Sequence, residues 1–157
     1  MERKEMRGRP DGFRLFKGRR SEIGRIYSVT VVTEHRRRVF DDFQLGRLVV
    51  EQLKDQHEAG LTRTLAWVVM PDHLHWLFQL QKCSLEEALC RLKSRSGRNI
   101  NLRLNNRGRL WQKGYCQRAV RQEENLKTIA RYIICNPVRA GLVLRVGDYS
   151  LWDAAWL

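Results

Sequence analysis

An α+β fold, an antiparallel sheet with helices on one face, follows from three features of this 157-residue sequence. Two β-branched, aromatic-rich segments meet across a short Pro-Asp connection, as in a hairpin. Two long segments carry apolar residues at helical spacing. Strand-like and helix-like segments then run in the order β-α-β-β-α-β-α. That is the split βαβ, ferredoxin-like arrangement.

Each element has its own signal. Arg25 to Thr33 (RIYSVTVVT) is β-branched and lies between Gly24 and a basic turn at Arg36-Arg37-Arg38, which predicts a strand. Asp41 to Glu58 spaces Phe43, Leu45, Leu48, Val49 and Leu53 as a helix does, with Gly60 behind it as a stop. Leu61 to Met70 predicts a second strand, Pro71-Asp72 a turn, and His73 to Leu80 a third strand antiparallel to the second. Ser84-Leu85-Glu86-Glu87 reads as a capping box that opens a helix to about Arg103. After a loop at Asn105 to Gly108, Leu110 to Val120 predicts a fourth strand, with a break expected at Gly114. Glu123 to Cys135 predicts a third helix, and Asn136-Pro137 stops it because the residue before proline avoids the helical region.

Composition narrows the class of partner. There are 30 Lys and Arg against 17 Asp and Glu, a net charge of +13, while 43% hydrophobic residues and five Trp can supply a core. No apolar run is long enough for a membrane helix, and the charged N-terminus does not read as a secretory signal. The four cysteines, Cys83, Cys90, Cys116 and Cys135, show no C-x-x-C spacing, so reduced thiols in a cytoplasmic protein are expected. The charge is clustered: residues 1–38 hold 12 basic and 5 acidic residues, and residues 88–122 hold 10 basic and none acidic. Clustering of that kind is what phosphate neutralisation rewards, so nucleic acid is the expected partner. We expect residues 1–20 to form a flexible basic arm, in which Arg7-Gly8-Arg9-Pro10 matches the core of a minor-groove AT-hook, and 21–157 to form one domain.

Two spacings could carry chemistry. His73 and His75 flank Leu74 in a predicted strand, so both imidazoles share a face, opposite Leu74, Trp76 and Phe78. That suits a divalent metal, although an H-x-H pair alone is equally compatible with ordinary surface or core histidines. No cysteine pair has the spacing of a structural zinc site. Tyr132 and Asn136 lie four residues apart on one helix face, turned from the apolar face of Leu126, Ile129, Ala130 and Ile133. Taken singly, they also read as a helix edge and a helix cap.

Together, these residues resemble a known family. Met70-Pro71-Asp72-His73-Leu74-His75-Trp76, Trp111-Gln112-Lys113-Gly114-Tyr115, and Tyr132-Ile133-Ile134-Cys135-Asn136-Pro137-Val138-Arg139-Ala140-Gly141-Leu142-Val143 are similar to the single-tyrosine HUH transposases. The resemblance is strongest to their REP-associated branch and runs from about Gly24 to Leu144. It implies a bacterial, nucleoid-associated enzyme in which His73, His75 and Asn136 bind Mg²⁺ or Mn²⁺ and Tyr132 is the nucleophile. It also implies a substrate of single-stranded DNA with imperfect hairpins, cut to leave a 5′-phosphotyrosine link and a free 3′-hydroxyl. The covalent link conserves phosphoester energy, so no nucleotide cofactor is expected, and no Walker glycine loop is present. The branch implies a monomer rather than a dimer.

For the DNA footprint the expected residues are Arg7, Arg9, Arg36, Arg37, Arg38, Lys93, Arg95, Arg98, Arg118 and Arg121. Three other readings stand beside this one. An RNA-recognition module has a related element order, but Lys113-Gly114-Tyr115 continues as Cys116-Gln117-Arg118 and lacks the later aromatics of its signature. A non-catalytic hairpin binder would keep the fold and the basic blocks. A metal-dependent nuclease using water would leave Tyr132 dispensable.

Overall fold

The computed structural model describes residues 21–121 and 124–155. The expected arm over 1–20, with Arg7 and Arg9, lies outside the described residues, as does Trp156. Strand β1 (Ile26–Val32) alternates buried and half-buried residues, as a strand with one face on a core must. Helix α1 (Phe43–Glu58) begins at Asp42, whose carboxylate accepts from the Gln44 backbone N–H. Strands β2 (Thr62–Met70) and β3 (His73–Leu80) form the expected hairpin across Pro71-Asp72, pairing Met70 with His73. Helix α2 (Leu85–Leu104) starts at Ser84, whose hydroxyl accepts from Glu87 N, and ends at Asn105 in the left-handed region.

The sheet order is β4-β1-β3-β2-β5, with every neighbouring pair antiparallel. Its first four positions are those of a split βαβ fold, and β1, β3 and β2 lie inside the sheet. Helices α1 and α2 cover one face, burying Val29 and Val31 of β1 and Leu74, Trp76, Phe78 and Leu80 of β3. Trp76 and Phe78 stack with centroids 3.8 Å apart, and the indole N–H donates to Thr64 Oγ1. Each such side chain contributes about 1.5–3 kcal/mol on burial, so this layer dominates stability. Helix α3 (Leu126–Ile134) packs Ala130, Ile133 and Ile134 on the opposite face, against Ala66, Val68 and Leu77.

Three boundaries differ from the expectation. The fourth strand is reduced to β4 (Cys116–Ala119), because the segment before it is diverted. Gly114 has φ +80, and the Lys93 ammonium takes the carbonyls of Gln112 (2.8 Å) and Gly114 as acceptors, so they do not join a ladder. The third helix begins at Leu126, capped by Asn125, whose side chain accepts from Thr128 N, and Asn136-Pro137 does not end the helical path, which continues over Asn136–Arg139 because proline is tolerated in a first turn. A fifth strand, β5 (Trp152–Ala154), adds to the free edge of β2, where three residues carry too little periodicity to be read as a strand. Its approach is set by Leu151, buried over Gly46 of α1; a Cβ at Gly46 would sit 2.4 Å from Leu151 Cδ1.

Candidate active site

The hairpin turn delivers two imidazoles to the α3 side of the sheet. Period-two alternation along β3 sends Leu74, Trp76 and Phe78 into the α1–α2 layer and His73 and His75 the other way. Their Nε2 atoms stand 3.2 Å apart, with the rings edge-on at 87°. The opposite nitrogen of each ring is held. His73 Nδ1 lies 2.6 Å from Asp72 Oδ1 and His75 Nδ1 lies 2.9 Å from Thr30 Oγ1.

A carboxylate can only accept, so His73 Nδ1 donates to Asp72 Oδ1, and in the neutral ring that leaves Nε2 as the atom with a lone pair for the shared spot. Asp72 is itself braced by Arg36, 3.3 Å from Oδ2. Burial pushes the Asp72 carboxyl up, but the hydrogen bond and charge of His73, and then those of Arg36, outweigh it and hold the group below the usual carboxylate range. Burial first, and then the charges of His73 and Arg139, push His75 down to about 4. His75 is therefore neutral at pH 7 and able to donate a lone pair.

The donor set fits a divalent ion. Two nitrogens bound to one ion at about 2.1 Å are separated by roughly 3.0–3.4 Å at ordinary ligand angles, and 3.2 Å falls within that span. Both rings also carry the outer hydrogen bonds that orient metal-binding histidines. Imidazole nitrogens suit first-row transition ions better than Mg²⁺. Among the described residues no group of three His, Cys, Asp or Glu side chains is arranged for a metal, so a third ligand has to come from another residue type.

Asn136 is such a residue. It opens the short helix α4 (Asn136–Arg139), is half-buried, and its amide makes no hydrogen bond among the described residues. Cys135, between α3 and α4, keeps right-handed dihedrals (φ −80, ψ −1), so the helical path continues with little change of direction. At 100° per residue, Asn136 and Arg139 both lie within about 40° of Tyr132 around that path. The Tyr132 ring is 66% exposed, and the Arg139 guanidinium carbon lies 3.7 Å from its centroid. The packing of α3 thus turns Tyr132 outward, on the side of the sheet that carries His73 and His75.

The expected footprint divides. Arg95 and Arg98 on α2, and Arg121 after β4, are exposed and make no ion pair among the described residues. Arg38 is engaged twice by Asp41 (2.9 and 3.1 Å), Arg118 lies 2.6 Å from Glu124, and Arg36 is on Asp72. Arg37 donates to the Arg109 carbonyl at 3.1 Å. Lys93 is engaged too: its ammonium donates to the carbonyls of Gln112 and Gly114 and pins the 112–114 loop. Burial, and then the charge of Arg109, push it down to about 8.

Sequence reasoning missed Asp72, Thr30 and Arg139 as site residues. Asp72 adjoins His73, and Arg139 is seven residues from Tyr132, so both could have been found by position. Thr30 could not, because its role depends on the register of β1 against β3.

The model of the family described as transposase, IS200-like, matches residues 24–136. Among solved structures, the chain is similar to that of a REP-associated tyrosine transposase bound to a REP hairpin. The TM-score is 0.67 at 22% identity, over 85% of this chain and 79% of that one. It is also similar to a protein from Deinococcus radiodurans R1 described as a transposase, with a TM-score of 0.53 at 24% identity over 73% and 93% of the two chains. At these identities the structural likeness speaks for the fold. No curated protein matches the chain.

Proposed function

The chain belongs to the IS200-like transposase family, and we propose that it nicks and rejoins single-stranded DNA at imperfect hairpins through a covalent 5′-phosphotyrosine on Tyr132. The observation that carries this reading is the pair of Nε2 atoms 3.2 Å apart, with both Nδ1 atoms anchored, on the sheet face against which the Tyr132 helix packs.

His73, His75 and Asn136 would hold the Mg²⁺ or Mn²⁺. That ion supplies positive charge beside the scissile phosphate. Asp72 and Thr30 fix the two rings, so little reorganisation is needed when substrate arrives. Tyr132 stands out from the helix, free to approach phosphorus. In the forward step its hydroxyl oxygen bonds to phosphorus and the bond from phosphorus to the 3′ oxygen breaks. The phenol gives up its proton and the departing oxygen gains one, leaving a 3′-hydroxyl. The reverse step, with a different 3′-hydroxyl as attacker, joins new strands and releases Tyr132.

The DNA would be gripped by the exposed, unpaired Arg95, Arg98 and Arg121 through backbone phosphates. A DNA hairpin as partner is supported by the structural relative whose bound ligand is a REP hairpin. Among the described residues no helix is long and apolar enough to cross a membrane. We read the protein as a monomer that needs no nucleotide cofactor.

The test is covalent trapping. Wild type and Tyr132→Phe are incubated with Mn²⁺ and labelled single-stranded oligonucleotides that form imperfect hairpins, then run on a denaturing gel. The expected result is a protein–DNA adduct in wild type and none in the variant. Cleavage without an adduct would assign a water nucleophile. Binding without either, across the hairpin panel, would make the chain a binding protein.

A further inference from the structure

We propose that Arg139 holds the Tyr132 ring in place and presents its N–H donors to the phosphate that Tyr132 attacks. This rests on the nucleophile reading above and adds a substrate-binding residue to it.

Three observations carry the inference. The first is the stack itself, with the guanidinium carbon 3.7 Å from the ring centroid. A guanidinium lying on an aromatic face keeps its edge, and therefore its five N–H donors, free for an anion in the plane of the stack. Tyr132 has little else to hold it, being 66% exposed on a helix whose buried residues are Ala130, Ile133 and Ile134.

The second is where the charge sits. Among the described residues Arg139 makes no ion pair, like Arg95, Arg98 and Arg121 and unlike Arg36 with Asp72, Arg118 with Glu124 and Arg145 with Asp148. An unpaired cation against the nucleophile's ring has no counter-charge when the site is empty of anions. It becomes favourable once a phosphate arrives between the histidines and the tyrosine.

The third is the helical path. Tyr132 and Arg139 are seven residues apart, and the continuation through Cys135 keeps them within about 20° of each other around the axis. Asn136 opens the short helix α4, Pro137 follows in its first turn, and Arg139 is its last residue. The stack is thus set by backbone as well as by side-chain attraction. A bidentate contact to phosphate needs the planar fork of arginine, so lysine at this position would keep the charge and lose the geometry.

The experiment compares wild type, Arg139→Ala, Arg139→Lys and Tyr132→Phe in single-turnover nicking at saturating hairpin oligonucleotide with Mn²⁺. A parallel arm uses neither DNA nor metal: nitration of Tyr132 by tetranitromethane, mapped by mass spectrometry. We expect Arg139→Ala to nick at least tenfold more slowly with oligonucleotide affinity within about threefold of wild type. We expect Arg139→Lys to recover less than half of the loss, and added guanidinium ion to speed Arg139→Ala. Nitration of Tyr132 should rise at least twofold in Arg139→Ala. A wild-type nicking rate in Arg139→Ala, with Tyr132→Phe inactive, overturns the role of Arg139 and leaves the nucleophile standing. Nicking by Tyr132→Phe at the wild-type rate overturns both. Unchanged nitration in Arg139→Ala removes the positioning half of the proposal.

Discussion

Thr30 and His75 face each other across the β1–β3 ladder, and the hydroxyl of one lies 2.9 Å from Nδ1 of the other. The hydroxyl can rotate to give or accept a proton. When it donates to His75 Nδ1, His75 Nε2 carries a hydrogen toward His73. When it accepts, the His75 Nε2 lone pair is released to a metal. Thr30 is therefore the group that lets His75 exchange one tautomer for the other without disturbing the strands.

Thr30→Val keeps the shape and removes that partner. We expect it to weaken Mn²⁺ binding by about 10–100-fold, the usual cost of losing an outer hydrogen bond to a ligating histidine. Titration followed by the electron paramagnetic resonance of free Mn²⁺ checks this. Unchanged affinity would show that the hydroxyl is a bystander.

Asp72 has two neighbours, and they are not equal. His73 lies at 2.6 Å and half-buried, while Arg36 lies at 3.3 Å with its side chain 65% exposed. Asp72→Asn should weaken Mn²⁺ by about 10-fold or more, because a neutral amide oxygen accepts the Nδ1 proton of His73 more weakly than a carboxylate does. Arg36→Gln should cost less than about threefold, since an exposed ion pair contributes only about 0.2–1 kcal/mol. The same titration distinguishes them, and equal losses would mean that the whole Arg36–Asp72–His73 chain acts as one unit.

Lys93 and its neighbours on α2 should separate by salt dependence. Arg95→Ala and Arg98→Ala should each lower the slope of log affinity against log salt by about 0.7–0.9, as expected when one phosphate contact is lost. Lys93→Met should leave that slope unchanged and lower the melting temperature by about 3–8 °C, because two hydrogen bonds to the 112–114 loop are lost. Filter binding across a salt series and thermal denaturation read the two effects. A changed slope in Lys93→Met would return it to the footprint.

Tyr149 gives the pH dependence. Its hydroxyl donates to the Val69 carbonyl, and burial, followed by the charge of Asp41, pushes the phenol up to about 12 while Arg38 opposes the shift. Between pH 10 and 12 the folded phenol keeps a proton that the unfolded chain has lost. Stability from this group is therefore complete below pH 10 and is lost as pH rises toward 12. Tyr149→Phe should be about 1 kcal/mol less stable at pH 8, and its melting temperature should fall less steeply from pH 10 to 12 than that of wild type. Parallel curves would place the alkaline loss elsewhere.

Features that depend on local geometry were legible in the order of residues alone. Alternation along a strand is enough to put His73 and His75 on one face, and a four-residue spacing is enough to put Tyr132 and Asn136 on another. The helix start at Ser84 was legible for the same reason, since a cap acts within one turn. Tertiary structure decided what depends on partners far along the chain. Only the register of β1 on β3 gives His75 its threonine, and only the packing of α3 on the far face of the sheet brings Tyr132 and Arg139 to the histidine side. The cations make the same point. Lys93 and Arg95 look alike in sequence, yet one ammonium is drawn inward by carbonyls of a loop some twenty residues later while the other side chain stays in solvent. Charge is a property of a residue, but whether that charge is free for DNA is set by which buried acceptors the fold leaves beside it.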